Sequence, residues 1–278
     1  MSAPSRIEIP MFPQGKRIAV TTSWDDGTVH DRRVVAGLNE LGIKGTFNLN
    51  SGNLGKTNWY GYVSASEIAS LYAGHEVAIH TVTHPWLDRL DPAQIASEVL
   101  DDRKALEELV GYPVRGMAYP YGTYNQQAID VLRALGIVYS RTVANQENPW
   151  PVREPLAWPA TAHMFNTHPL PVGERFKAWH DNPRASGLYY IWGHAYEFEQ
   201  CKDWPALQRI FQPLAGHADV WYCTNIELFD YEDARKRIVI AANRKTVFNP
   251  SALPVTLNID GQLRDIPAGQ TVPLTADH

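Results

Sequence analysis

Two adjacent carboxylates, Asp25 and Asp26, follow a β-rich run at residues 17–24 and precede Gly27. Neighbouring residues of a strand point to opposite faces, so packing gains nothing from a like-charged pair at this place. On its own, the sequence Asp-Asp-Gly is typical of a turn. Whether the pair does chemistry therefore depends on which other polar groups the fold brings to the same edge.

Three further strand-like runs also end in polar residues. The run 76–81 ends in His80-Thr81 and continues as Val-Thr-His-Pro. The run 117–119 is followed by Pro-Tyr-Gly, and the run 187–194 ends in a histidine. In parallel α/β folds, ligands and catalytic groups lie at the carboxyl ends of the strands. Four polar strand ends therefore predict one functional site at that edge of the sheet.

His80 and His84 are four residues apart. If the chain turns helically after the strand, both imidazoles lie on one face and can share a metal ion. With one carboxylate they make three protein ligands, and the open positions suit a catalytic metal site. The adjacent carboxylate then stays free as a base toward a water whose pKa the cation lowers from about 15.7 toward 7. A His-x-x-x-His pair alone is weak evidence, and the Asp-Asp strand end is what favours a metal.

Strand and helix patterns alternate through most of the chain, which predicts a parallel sheet covered on its faces by helices. The predicted strands are 17–24, 44–50, 76–81, 117–119, 137–142, 187–194 and 219–224, and the predicted helices are 31–42, 64–73, 91–110, 124–135 and 204–216.

Two stretches break this alternation. Residues 143–187 are rich in Pro, Trp and His without periodicity, and we expect long loops there over one end of the sheet. After about residue 235 the pattern alternates with a period of two around an Asp260-Gly261 turn signal, which predicts a small β unit. The predicted organisation is a catalytic unit over residues 1–234 and a β-rich appendage over residues 235–278.

In motif order and spacing, residues 17–225 resemble the polysaccharide deacetylases of the NodB homology group, carbohydrate esterase family 4. The motifs stand here as Ser23-Trp24-Asp25-Asp26-Gly27, His80-Thr81-Val82-Thr83-His84-Pro85, Tyr119-Pro120-Tyr121-Gly122 and Ile191-Trp192-Gly193-His194. The resemblance implies an α/β fold, a distorted (β/α) barrel with fewer than eight regular strands, to which the small C-terminal β unit is added.

The resemblance also implies a metal site with a base beside it. Asp26, His80 and His84 would hold a divalent metal ion, and Asp25 would be the general base. Zinc is the expected ion, with Co²⁺, Ni²⁺, Mn²⁺ and Fe²⁺ left open.

Two more positions carry implied roles in the same reaction. Tyr121 would supply a backbone N–H to the oxyanion, and His194 would protonate the leaving amine or alcohol. The implied activity is a metal-dependent hydrolysis that removes an acetyl group from an N-acetylated or O-acetylated sugar, or from a related amide.

The third and fourth family motifs are incomplete in this chain. Ala118 stands where the family has an Arg, and residues 138–142 lack the Asp that normally pairs with this Arg. We expect Arg141 to reach the base from that neighbouring strand, because a guanidinium can hold a carboxylate at two points. A surface ion pair is the alternative role for Arg141.

Composition and charge restrict the partners of the chain. A net charge of −5 provides no basic footprint for nucleic acid or for an anionic membrane. Cys201 and Cys223 form neither a disulfide framework nor a Cys-x-x-Cys metal pattern. Without an apolar leader or spanning stretch in the sequence, a cytoplasmic location is expected. That location favours a soluble glycan precursor, a sugar nucleotide or a small amide as substrate, and a homo-oligomer is left open.

Other functions fit part of the pattern. A non-haem Fe(II) oxygenase also uses two His and one carboxylate, but it predicts a β-sandwich and His-x-Asp spacing, which the site region lacks. A hydrolase of a linear or cyclic non-carbohydrate amide stays open, as does a catalytically silent carbohydrate-binding homologue. Outside the motifs, no spacing supports a role for His163, and Glu197 is expected to be solvated.

Overall fold

The computed structural model describes residues 6–274. Its strands are β1 (Ile7–Glu8), β2 (Ile18–Asp26), β3 (Gly45–Leu49), β4 (Glu76–Ile79), β5 (Gly116–Ala118), β6 (Tyr139–Asn145), β7 (Trp158–Ala160), β8 (Ala162–His163), β9 (Gly187–His194), β10 (Val220–Tyr222), β11 (Val239–Ile240), β12 (Thr246–Phe248), β13 (Val255–Ile259), β14 (Gln262–Ile266) and β15 (Thr271–Pro273). Its α-helices are α1 (Asp31–Leu41), α2 (Ile68–Leu71), α3 (Pro92–Val110), α4 (Gln126–Ala134), α5 (Val172–His180), α6 (Tyr196–Gln200), α7 (Pro205–Phe211) and α8 (Asn225–Lys236). None of these helices has the length and apolar character needed to cross a membrane.

The strands from β2 to β10 form one sheet in which every pairing is parallel. In the order β7-β6-β5-β4-β3-β2-β9-β8, the two edge strands follow each other in the chain and are joined by Thr161 alone. The N–H of Thr161 donates to the carbonyl of Tyr190 at 2.7 Å, and its hydroxyl accepts the Tyr190 N–H at 2.9 Å. The sheet therefore closes on itself, and the predicted distorted (β/α) barrel is confirmed.

The barrel has fewer places than strands. β7 and β8 share one place because a single residue separates them, and β10 pairs with β2 on the same side as β3. The nine strands of the sheet thus occupy seven places around the barrel. All residues of β2 are buried, as expected for a strand that is covered on both faces.

Strand register brings the polar strand ends together. Asp25 on β2 lies opposite Asn48 of β3 on one side and opposite His194 of β9 on the other. Beyond β4, Ala118 of β5 lies opposite Arg141 of β6. Directly paired residues place their side chains on the same face of a sheet, so this register assembles one polar layer at the carboxyl end of the barrel.

The helix start signals are confirmed. The carboxylate of Asp91 caps α3 by accepting the N–H of Gln94 at 2.9 Å, and Pro92 occupies the first helical position. The capping box that begins at Ser64 is also present. Helix α3 matters for the site because it packs behind the loop that follows β4.

The secondary-structure prediction is wrong in several places, of which two lie near the site. Residues 143–187 contain β7, β8 and α5 instead of loops alone, because strands of two or three residues are too short to show a period. Helix α8 is absent from the prediction. It starts at Thr224, whose hydroxyl accepts the N–H of Glu227 at 3.3 Å in a further capping box.

The C-terminal part forms two small antiparallel sheets, β1-β13-β14 and β11-β12-β15. The β13–β14 hairpin turns at Asp260 and Gly261, as the sequence predicts, and both have positive φ, 52° and 90°. The core of this unit is formed by Val247, Leu257, Ile266 and Leu274. Because β1 pairs with β13, the unit also includes residues near the start of the chain. The boundary near residue 235 stays a prediction.

Candidate metal centre and catalytic cleft

Asp26, His80 and His84 converge at the carboxyl end of the barrel. Oδ1 of Asp26 lies 3.5 Å from Nε2 of His80 and 3.5 Å from Nε2 of His84. The three ligand atoms lie within 4.8 Å of one another. Asp26 and His80 are buried, whereas His84 is partly exposed to the cleft. The structure therefore brings together the three side chains predicted as metal ligands.

The His80 imidazole is held in one tautomer. Its Nδ1 lies 2.8 Å from the carbonyl oxygen of Ala118. A carbonyl only accepts hydrogen bonds, so Nδ1 carries a proton and Nε2 is the ring nitrogen that faces Asp26. Metal-ligating histidines are typically oriented in this way, by a carbonyl on the other ring nitrogen.

The loop after β4 is not helical, so the two histidines are not brought together by the helical turn that their spacing allows. Thr81 and His84 have φ values of 68° and 60°, in a left-handed region that residues other than glycine rarely adopt. Asp102 of α3 accepts the backbone N–H of His80 at 3.0 Å, and Asn50 donates to the carbonyl of Thr81 at 3.0 Å. The two imidazoles meet, with ring centroids 4.8 Å apart, because these neighbours hold a strained loop.

A second carboxylate of α3 fastens the same loop. Glu98 accepts the backbone N–H of Thr83 at 2.9 Å and the Thr83 hydroxyl at 2.6 Å. Thr83 lies between the two histidines in sequence, so its attachment to α3 limits the movement of both imidazoles.

The chemistry of the three donors fits a divalent cation. Burial and the neighbouring imidazole of His80 lower the pKa of His84 to about 3, so this ring is neutral and its lone pair is available. Burial raises the pKa of Asp26, although His80 and His194 lower it. A buried carboxylate that faces two imidazole nitrogens is a place where a bound cation would be stabilised by each neighbour. Two imidazole nitrogens and one carboxylate oxygen are ligands that suit zinc and related metals.

Asp25 lies next to the triad and is held from two directions. Its Oδ1 accepts a hydrogen bond from Nδ2 of Asn48 at 2.8 Å, and its Oδ2 forms a buried ion pair with the guanidinium of Arg141. Burial alone would raise the pKa of Asp25, but Arg141 and the imidazoles of His80 and His194 outweigh burial and hold that pKa well below its usual range. Asp25 is therefore an oriented, ionised carboxylate.

Arg141 reaches Asp25 from β6, as the sequence predicts. Its side chain is fully buried, which excludes a surface ion pair, and its guanidinium carbon lies 4.4 Å from the centre of the Trp192 ring. The expected two-point contact is not formed, because only Nη2 reaches Asp25 while Nη1 donates to the carbonyl of Thr142 at 3.2 Å. The effect of Arg141 on catalysis stays a prediction.

His194 faces Asp25 across the cleft, with its Nε2 3.9 Å from Oδ2 of Asp25. Behind this ring, Oε2 of Glu197 lies 3.4 Å from Nδ1 of His194 and 3.0 Å from Nε2 of His163. The expectation that Glu197 is solvated is therefore wrong. The three-residue spacing from His194 could have indicated this contact. No sequence signal indicates His163, which arrives on β8 only because the barrel closes.

Aromatic side chains line the cleft beside His84 and beside His194. Next to His84, Tyr121 stacks on Trp86 with ring centroids 4.2 Å apart, and half of Tyr121 is exposed. Next to His194, the centroid of the Tyr196 ring lies 4.5 Å from that of Trp59 and 4.9 Å from that of Tyr60. The cleft has a volume of about 590 Å³. Tyr121 lies in its wall, and the role of its backbone N–H stays a prediction.

The N-terminal half of the chain matches a known family. The family model of polysaccharide deacetylases matches residues 13–140. Over 65 residues the chain is 38% identical to a chitooligosaccharide deacetylase of Bradyrhizobium sp. (strain ANU 289), a match that covers 23% of this chain and 30% of that protein. The chain spans about a third of the length of the curated relatives it matches.

Solved structures share the fold over more of the chain. A Mycobacterium smegmatis protein described as a polysaccharide deacetylase aligns with a TM-score of 0.61 at 19% identity, covering 84% of this chain and 95% of that one. A family 4 acetyl xylan esterase from Clostridium thermocellum, in complex with a cobalt ion, aligns with a TM-score of 0.53 at 17% identity, covering 77% and 92%. At these identities the likeness shows the fold alone.

Proposed function

Since residues 13–140 match the family model of polysaccharide deacetylases, we propose that the chain is a metal-dependent hydrolase that removes an acetyl group from an N-acetylated sugar. An O-acetylated sugar or a related small amide is the nearest other substrate. The observation that carries this proposal is the convergence of Asp26, His80 and His84 beside the buried carboxylate of Asp25. This arrangement combines a set of metal ligands with a separate base.

Asp26, His80 and His84 would hold the cation. When bound, a divalent cation acts as a Lewis acid on the acetyl carbonyl and lowers the pKa of a water molecule. Zinc is the ion we propose, because the donor set of two imidazoles and one carboxylate suits it. The structurally similar esterase from Clostridium thermocellum holds cobalt, which makes Co²⁺ a useful second metal for tests.

The remaining site residues supply the proton transfers. Asp25, oriented by Arg141 and Asn48, takes a proton from the attacking water. His194 gives a proton to the leaving nitrogen as the C–N bond breaks. Because Nε2 of His194 and Oδ2 of Asp25 lie 3.9 Å apart, the acid and the base flank the same reacting centre. The backbone N–H of Tyr121 is the proposed oxyanion donor, and losing such a donor typically lowers the rate by about 10²–10³-fold.

The cleft walls favour a sugar over a small linear amide. The rings of Tyr121 and Trp59, which are about half exposed, both line the cleft. Flat aromatic faces pack against the apolar faces of pyranose rings, while polar groups of the cleft bond to hydroxyls. The cytoplasmic location expected from the sequence stays a prediction.

The test combines metal content with acetate release. Metal bound per chain is measured by plasma mass spectrometry, and acetate is assayed on N-acetylglucosamine oligomers, O-acetylated sugars and small acetamides. The samples are wild type, His80→Ala/His84→Ala and a control, His168→Ala, at an exposed histidine of a loop outside the cleft. We expect about one zinc or other divalent ion per chain, lost together with acetate release only in the double variant.

Two results would contradict the proposal. Absence of bound metal in wild type after reconstitution would disprove the metal site. Bound metal without acetate release from any acetylated sugar would disprove the sugar deacetylase activity. It would then direct attention to other amides, to an oxygenase or to a silent carbohydrate-binding protein.

A further inference from the structure

We propose that Glu197 and His163 are a positioning pair for His194, which keeps a proton on Nδ1 of His194 and turns its Nε2 toward the bond to be cleaved. The inference rests on the proposed function, in which His194 is the proton donor. All three residues lie beyond the segment 13–140 that matches the family model.

Glu197 makes three contacts through one oxygen. Its Oε2 lies 3.0 Å from Nε2 of His163, 3.1 Å from the backbone N of His194 and 3.4 Å from Nδ1 of His194. Burial would raise the pKa of Glu197, but the hydrogen bonds from His163 and His194 lower it to about 2. Glu197 is therefore ionised at any pH suitable for an assay, and it can only accept hydrogen bonds.

His163 is already a donor to Glu197 when it is neutral. Its Nδ1 accepts the backbone N–H of Phe165 at 3.3 Å, so its single ring proton is on Nε2, the atom next to Glu197. The ring packs edge-on against Trp192, with centroids 4.7 Å apart. This packing fixes the orientation of the His163 ring. The hydrogen bond from Nε2 of His163 in turn fixes the position of the Glu197 carboxylate.

The His194 ring has one unsatisfied atom. Among residues 6–274, its buried Nδ1 has no hydrogen bond of good geometry, and Oε2 of Glu197 is the acceptor 3.4 Å away. Because an ionised carboxylate cannot donate, this contact is favourable only when Nδ1 carries the proton. Nε2, on the side of Asp25, is then the ring atom that exchanges its proton with the substrate.

The proton balance follows from this tautomer. In the reaction, the doubly protonated ring of His194 gives its Nε2 proton to the amine nitrogen, and the electron pair of the breaking C–N bond stays on that nitrogen. The ring becomes neutral and keeps its Nδ1–H toward Glu197. The proton that Asp25 took from water passes to Nε2 of His194, so water and amide have become acetic acid and a free amine, and both side chains are reset.

The carboxylates that face His194 all raise its pKa. The charged and titratable neighbours are Asp25 and Asp26 of β2, His163 of β8, and Tyr196 and Glu197 of α6. Burial lowers the pKa of His194, but the close carboxylate of Glu197 and the charge of Asp25 outweigh burial and raise it. Removing the Glu197 charge should therefore make the protonated ring less stable.

The test uses the full chain loaded with zinc. The variants are Glu197→Gln, His163→Phe and His163→Gln, and the matched control is Glu199→Gln, an exposed carboxylate on the same short helix. Long-range ¹⁵N–¹H NMR spectra read the tautomer and titration of His194, and kcat, KM and their pH profiles are measured on an N-acetylated chitooligosaccharide. Metal content and melting temperature are recorded for each protein.

We expect the Nδ1–H tautomer in wild type and in the control. Glu197→Gln should lower kcat by about 10²-fold with KM within about threefold, since loss of the carboxylate behind a catalytic imidazole mainly affects the transition state. The alkaline limb of kcat should move to lower pH by about one unit. His163→Phe should lower kcat by about tenfold, and His163→Gln, which keeps an N–H donor, should restore most of it.

Three outcomes would overturn the inference. These are a Glu197→Gln variant that keeps the wild-type tautomer and pH profile, a loss of melting temperature without a change in that profile, or a second zinc ion that depends on Glu197. If wild type releases no acetate but Glu197→Gln still changes the tautomer of His194, the positioning pair stands and the proposed function fails.

Discussion

Replacing Arg141 with Met would leave the carboxylate of Asp25 buried without a counter-charge. Asp25 has 3% of its surface exposed, and Asn48 would remain as its neutral hydrogen-bond donor. Removing one partner of a buried ion pair costs about 3–5 kcal/mol, because the other charge stays desolvated. For a chain of this size each kcal/mol shifts the melting temperature by about 2–4 °C, so we expect Arg141→Met to melt about 6–20 °C lower.

Arg141→Lys separates charge from shape at the same position. Lysine keeps a positive charge, but it cannot contact Asp25, donate to the carbonyl of Thr142 and lie flat against Trp192 at the same time. We expect a smaller loss of stability, about 1–2 kcal/mol. We expect a fall in kcat of about 10–10²-fold, since a base displaced by about 1 Å loses that much rate.

The assay is thermal and urea unfolding of metal-free and zinc-loaded protein at pH 7, together with kcat for acetate release. The double variant Asp25→Asn/Arg141→Met removes both charges and should recover at least half of the stability lost in Arg141→Met. Unchanged unfolding of Arg141→Met, or additive losses in the double variant, would refute the buried pair as an energetic unit. A wild-type kcat in Arg141→Lys would refute the positioning role of Arg141.

Two further perturbations test the surroundings of the site. Burial raises the pKa of Asp31 to about 8, although Tyr72 donates a hydrogen bond to it at 2.7 Å. In the unfolded chain the pKa of an Asp is about 3.9. The folded protein therefore binds this proton more tightly, and its stability should fall as the pH rises between the two values. Asp31→Asn should remove this decline, and at pH 9 its free energy of unfolding in urea should be higher than that of wild type. A parallel decline of stability in both proteins would contradict the raised pKa of Asp31. Glu98→Ala releases Thr83 and should lower metal affinity about tenfold in a chelator competition, while Glu108→Ala, exposed on the same helix, should match wild type. Equal affinities in all three proteins would show that the loop is held without Glu98.

The convergence of the three candidate metal ligands could be predicted because their signals are local. Asp26, His80 and His84 each follow a buried strand, and the carboxyl ends of parallel strands meet at one edge. The loop conformation that joins the two histidines could not be predicted from their four-residue spacing. It depends on Asp102 and Glu98 of α3, which reach the loop only after the helix packs against it.

The contacts behind His194 were harder to foresee for a different reason. His163 lies on a strand of two residues, which has no measurable period, and it meets Glu197 only because Thr161 joins the two edges of the sheet. Non-local closure of this kind leaves no pattern within any window of sequence. The three-residue spacing from His194 to Glu197 could therefore not be interpreted, because the sequence does not show that His163 lies beside Glu197.

The position of Arg141 shows why an incomplete motif need not remove a function. Ala118 and Arg141 are directly paired on adjacent parallel strands, so their side chains leave the sheet on the same face and at the same height. A guanidinium attached to either strand can therefore approach the same carboxylate, and here it does so from β6. In the proposed mechanism the base needs a cation beside Asp25, and strand register supplies two positions from which a guanidinium can reach it. Strand β5 lacks the arginine of the family motif because Ala118 stands at that position. The paired strand β6 supplies a guanidinium from Arg141 instead.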